Sequence, residues 1–231
     1  MNRHVILAFA VLLAAGPAMG FCDVPQPRLV CAEYFASQVV VEATVTKVRD
    51  IDEDNFPIAF VYSLRADRLL RGRVAGTFDV YEGNDSGRAT FGWKIGREYL
   101  LFLNYSQSDK GWELDSCGNS GPLDQAKMAL EEIARIQKLH GEGVIHGVVS
   151  WNALSNPMAD VRVEAHGAKG TYATTTNARG EFEIKVPPGR YVVRASKAGF
   201  SFSGAVLSYS DPNDVRIVPG GCAQVQLAAN Q

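Results

Sequence analysis

The chain has 231 residues with 23 basic and 25 acidic side chains, a formal net charge of −2, and charges of both signs are interspersed along it. A balance this even excludes the basic patch that a nucleic-acid partner requires. No block of like charge exceeds Asp52-Glu53-Asp54, which is expected to be a solvated loop and not a calcium site.

Residues 1–20 have the three-part pattern of a secretory signal. Arg3 supplies the positive end, and the apolar run from Val5 to Ala15 is too short to span a bilayer. Gly16-Pro17 breaks the helix, and Ala18 and Gly20 place the expected cut after Gly20. The bulky Phe21 before Cys22 argues against a lipoprotein, and no later stretch approaches the roughly 20 apolar residues of a membrane helix. The expected mature protein is secreted or periplasmic, not inserted in a membrane. With roughly 210 residues it has room for two modules of about 100 each.

Gln38–Val48 is rich in β-branched residues and reads as a long strand; Ala59–Ala66 resumes the pattern and Leu69-Leu70-Arg71-Gly72 ends it. Thr77–Tyr81 makes a third strand, residues 83–87 a turn or loop, and Tyr99–Leu103 is apolar enough to be buried on both faces. Trp112–Asp115 is a further short strand beside Cys117. The aromatic residues Phe91, Trp93, Tyr99, Tyr105 and Trp112 are expected to fill this core, a stacking platform for a ligand being the alternative; Trp93 and Trp112, with Phe21 and Cys22, are the candidate binding surface.

From Pro122 the period changes. Leu123, Ala126, Leu130, Ile133, Ala134 and Ile136 predict an amphipathic helix of about four turns over residues 122–140, opened by Gly121-Pro122 and ended by Gly141-Glu142-Gly143. The glycines set the expected division into a module at 21–141 and a second at 143–231. In the second, strands are expected at Val144–Trp151, Val161–Ala165, Thr171–Thr176, Glu181–Val186 and Arg190–Ala195, within a total of five to seven. Turns at Asn156-Pro157, Asn177–Gly180, Pro187–Gly189 and Asp211–Asn213 separate the strands. Phe200, Phe202 and Tyr209 fit either a protein-binding loop or an outer strand.

Cys22, Cys31, Cys117 and Cys222 all lie in the exported part, where disulfides persist. No pair reads Cys-x-x-Cys, and His140, His146 and His166 lack zinc-ligand spacing, so disulfides are expected and no metal. His146 at a strand start and His166 at a strand end are expected to be ordinary strand residues. Three cysteines precede the boundary and one follows it. Full oxidation within one chain therefore needs a bridge between modules, the alternative being one bridge in the first module and a reduced Cys222. There is no Gly-x-Ser-x-Gly, His-Glu-x-x-His, phosphate-binding or dinucleotide-binding motif, so neither catalysis nor a cofactor is expected.

The run Gly147–Ser150, Asn156–Val163, Thr175–Phe182 and Val186–Tyr191 resembles the carboxypeptidase regulatory-like, transthyretin-like module. The resemblance implies a small Ig-like β-sandwich without chemistry of its own. Gly180 and Gly189 would release the backbone at hairpins, and Phe182 and Tyr191 would plug the space between sheets. The first half, through Cys22, Ser37–Val41, Gly96–Phe102 and Leu114–Gly118, resembles the netrin-like module of tissue inhibitors of metalloproteinases. That likeness implies an OB-type barrel with one packed helix, and the Cys22–Cys117 pairing, which leaves Cys31 with Cys222. The expected fold class is thus mainly β, a barrel followed by a sandwich. The expected function is non-catalytic binding of a protein or envelope polymer. The alternative that the likeness implies is inhibition of a metalloprotease, which needs Cys22 as the first residue of the mature chain; an enzyme of unrecognised type is the third reading.

Overall fold

The computed structural model describes residues 27–84, 89, 91–151, 156–205 and 208–230. The described residues are mainly β, with two α-helices. None of these helices is long and apolar enough to cross a membrane.

The first module opens with α1 (Val30–Ala36) and continues through β1 (Val39–Glu53), β2 (Phe56–Arg71), β3 (Thr77–Gly83), β4 (Glu98–Ser106), β5 (Gly111–Leu114) and β6 (Gly121–Pro122). β1 pairs with both β2 and β4, and β3 runs parallel to β5 through Val80 and Trp112. The order β1-β2-β3-β5-β4 therefore closes on itself, which is the connectivity of an OB-type barrel. The two apolar faces of β4 explain its unbroken run. Tyr99, Leu101 and Leu103 point into the barrel with Val41, Val45, Leu64 and Val80, while Leu100 and Phe102 point outwards beneath the helices. The outward side chains meet Val40, Tyr34, Ile133 and Ile136 in a second apolar layer.

Two expectations are corrected in this module, and one element is new. The helix is α2 (Lys127–Ile136), not residues 122–140. Gly121-Pro122 instead pairs with Tyr99 and Leu100 of β4, and Leu123–Gln125 forms a 3-10 turn, so the helix starts only after the chain has left the barrel edge. Asp52 and Glu53 are not loop residues. β1 and β2 pair to the Glu53–Phe56 position, and the reversal needs only Asp54 and Asn55, both with positive φ (49° and 65°) as a two-residue hairpin turn demands. Finally, α1 has no counterpart in the sequence reading. Arg71 caps it, its guanidinium donating to the Phe35 and Ser37 carbonyls while lying over the Tyr34 and Phe35 rings.

The second module comprises β7 (Gly143–Trp151), β8 (Asn156–Pro157), β9 (Arg162–Gly167), β10 (Gly170–Thr175), β11 (Glu181–Val186), β12 (Gly189–Ser196), β13 (Ser201–Gly204), β14 (Val215–Ile217) and β15 (Cys222–Asn230). β10-β9-β12-β14 form one sheet. β11-β7-β15-β13, with β8 on β7, form the other. Between them lies one core of Ile145, Val149, Val161, Val163, Phe182, Ile184, Tyr191, Val193, Val225 and Leu227. Phe182 and Tyr191 are buried plugs as expected, the Tyr191 hydroxyl donating to the Pro187 carbonyl at 2.6 Å. Gly180 has the left-handed backbone expected of it (φ 71°), whereas Gly189 does not and simply begins β12. Phe202 lies on the edge strand β13 and packs against the core, which settles its reading as an outer-strand residue.

Candidate functional site

β15 runs parallel to β7 in the middle of its sheet. Ala223, Val225 and Leu227 face the sandwich core, so Cys222, Gln224 and Gln226 face outwards, yet all three are buried. Part of the cover is the segment Pro27–Leu29 together with α1. Gln224, fully buried, accepts from the Leu29 backbone N–H at 2.8 Å and donates to the Pro27 carbonyl at 3.0 Å. One side chain thus holds the strap as a neighbouring strand would, satisfying backbone groups that burial would otherwise leave unpaired. Two residues on, Cys31 in the first turn of α1 is bonded to Cys222, joining the modules across 191 positions.

The strap is also tied to the barrel. Arg28 pairs with Asp115 at the end of β5 and lies 3.7 Å from Glu33 and 5.1 Å from the centre of the Tyr209 ring. Glu33, at 0% exposure, accepts from the Asn119 backbone N–H (2.6 Å) and side-chain amide (2.7 Å). Burial pushes the Glu33 carboxyl above its ordinary value of 4.5 in spite of Arg28 and Asn119, which pull the other way. The folded chain therefore keeps this proton at pH values where the unfolded chain has released it. The stability this contributes is present at acid pH and is lost as the pH rises from the ordinary glutamate value through the raised one. Denaturant midpoints of the wild type should decline over that window, and Glu33→Gln, which cannot titrate, should flatten the decline; equal slopes in the two chains would refute the assignment.

Two clefts flank the strap and meet at His146. One, of about 560 Å³, runs along the sandwich between the strap and Thr174, Glu181, Phe182 and Glu183. The other, of about 840 Å³, lies between Val30, Cys31 and α2, with Ala126, Met128, Ala129 and Glu131 on its wall. His146 projects from β7 opposite Glu183 of β11, its Nδ1 3.7 Å from the carboxylate, and burial holds its pKa below the usual value against the pull of Glu183. A ring nitrogen of His146 and the sulfurs of Cys31 and Cys222 all lie within 4.8 Å of one another.

Of the residues singled out in the sequence, the structure brings Cys31, Cys222 and His146 to this junction. Phe21 and Cys22 lie outside the described residues, and the Cys22–Cys117 pairing falls on Cys22; Cys117 is itself disulfide-bonded. Trp93 and Trp112 are elsewhere, both half-buried against the barrel core. Trp93 stacks on Tyr62 at 4.4 Å, and Trp112 meets Tyr105 edge-on at 5.4 Å. Sequence reasoning missed Arg28, Glu33, Asn119 and Gln224. The available signals were the Gln-x-Gln inside an otherwise apolar C-terminal run and the odd number of cysteines on each side of the boundary.

The architecture defines a two-module β protein, an OB-type barrel and a β-sandwich locked together by an inter-module disulfide. Residues 144–221 match the model of the carboxypeptidase regulatory-like domain, so most of the sandwich is similar to that domain. The match ends one residue before Cys222, so the strand that makes the junction lies outside it. No curated protein matches the chain.

Proposed function

We propose that the chain is an exported, non-catalytic binding protein that holds a segment of another protein in the clefts on either side of Pro27–Leu29. The observation that carries this reading is the double bracing of the junction. The Cys31–Cys222 bridge and the Gln224 clamp hold both walls in place, so a ligand need not bear the ordering cost of bringing them together. Apolar Val30, Ala126, Ala129 and Phe182 line the clefts beside the charged Arg28, Glu131, Arg135 and Glu183, a mixed lining that suits an extended segment with both apolar and polar side chains. The secretory pattern of residues 1–20 and the inter-module disulfide both suit an oxidising compartment.

A second reading, metalloprotease inhibition through the first module, draws support from the closed barrel with α2 packed on its outer layer, the arrangement that the netrin-like likeness implies. It requires a mature chain starting at Cys22; N-terminal sequencing that returns Phe21 removes it.

A photo-crosslinking residue at Met128, exposed on the cleft wall, tests the first reading against one at Ile95, also exposed and outside both clefts. The expected result is a discrete protein adduct from Met128 alone, weakened when Cys31 and Cys222 are both replaced by serine, because one of the two braces is then gone. A glycan adduct, or equal adducts from both positions, would overturn it.

A further inference from the structure

We propose that Cys31, Cys222 and His146 form a thiol-gated cation site, closed as a disulfide when oxidised and offering two thiolates and one imidazole to a zinc-like divalent ion once a thiol reductant opens the bridge. The three ligands come from α1, β15 and β7 and meet only because the strap folds α1 over the outer face of the sandwich sheet. Zinc–sulfur bonds of about 2.3 Å and zinc–nitrogen bonds of about 2.1 Å place ligand atoms roughly 3.5–3.8 Å apart around a tetrahedral ion. The 4.8 Å spread of the three groups and the 5.9 Å separation of the cysteine Cα atoms accommodate this by side-chain rotation.

Opening the bridge does not release the ligands from one another. The Gln224 clamp on the strap and the Arg28–Asp115 pair are independent of the sulfurs and keep α1 seated. His146 brings a ring nitrogen to the sulfurs, and the Glu183 carboxylate, 3.7 Å from its Nδ1, adds negative charge that favours a cation. Cys31 and His146 both line the 840 Å³ cleft, which gives reductant and ion access from solvent and leaves the fourth coordination position to water. The chemistry balances: two molecules of a small thiol reduce the Cys31–Cys222 bond and leave as their own disulfide, each cysteine sulfur takes one proton, and the arriving divalent ion displaces both protons to solvent.

The test is a titration of the full chain with cobalt(II), a spectroscopic stand-in for zinc, before and after reduction by a phosphine. The expected result is a thiolate-to-cobalt charge-transfer band in the reduced chain only, saturating at one ion per chain and bleached by zinc. Replacing His146 by alanine, a half-exposed position, should weaken cobalt binding at least about tenfold. The Cys31→Ser/Cys222→Ser chain, which keeps Cys22 and Cys117, should lose the band. The proposal is overturned if that double variant retains the band, if the oxidised chain shows it equally, if His146→Ala leaves affinity unchanged, or if reduction abolishes the β-sheet circular dichroism.

Discussion

Serine at both Cys31 and Cys222 is expected to split one cooperative unfolding transition into two and to lower the stability of the linked chain by about 5 kcal/mol. The magnitude follows from loop closure: the bridge joins residues 191 positions apart, and the entropy it removes from the unfolded chain grows with the logarithm of that length. The split follows from what remains at the junction. The barrel and the sandwich have separate cores, and without the sulfur bond the contacts left between them, among the described residues, include the strap and α1 lying on β15, the Gln224 clamp and Arg28 over the Tyr209 ring. Such contacts survive in the native state but contribute little once one partner module has unfolded. Scanning calorimetry reads both effects. A single transition at the wild-type midpoint would show that the bridge carries no part of the coupling.

The parts of this fold that were legible in the sequence are those whose pattern is local. Tyr99–Leu103 announces its double burial because it serves two cores at once, and the turn residues around Asn177–Gly180 announce a reversal because their backbones need it. α1 was not legible. Seven residues carry less than two helical turns, and Val30, Cys31, Tyr34 and Phe35 are as much at home in a strand; packing under Arg71 and against α2 decides the matter, and that is tertiary information. The junction was legible as parity and through the netrin-like likeness: an odd cysteine count on each side of the boundary required a crossing bridge if all were oxidised, the likeness left Cys31 with Cys222, and Cys31–Cys222 is that bridge. What could not be read was the environment of the bridge. His146, Gln224 and Arg28 are remote from one another in the chain, and their types alone fit surface positions. It is the strap over the outer face of β15 that covers Gln224 and brings Cys31 beside His146 of the neighbouring β7.

Gly180 and Gly189 stand in similar turn motifs, yet alanine at the first is expected to cost about 2–6 kcal/mol and at the second to change stability by no more than about 1 kcal/mol either way. Gly180 has φ of 71°, where a side chain is strained, and a Cβ there would sit 2.4 Å from the Val149 carbonyl oxygen and 2.9 Å from the Met158 nitrogen. Both obstacles are backbone and neither can step aside. The Val149 N–H donates to the Gly180 carbonyl, and Met158 N–H donates to the Val149 carbonyl, so relief on one side breaks pairing on the other. Asn177 tightens the turn further, its side-chain oxygen accepting from the Arg179 and Glu181 N–H groups. At Gly189 the backbone is that of an ordinary strand residue, and the nearest atoms to an added Cβ are in the Tyr191 ring at 3.4–3.6 Å, plain van der Waals contact. Alanine there strains nothing, and by restricting the unfolded chain it can stabilise slightly. Urea unfolding of the two single variants settles the comparison: the midpoint of the Gly180→Ala chain should fall steeply while that of Gly189→Ala stays near wild type, and equal shifts would mean that the two turns are conformationally equivalent after all.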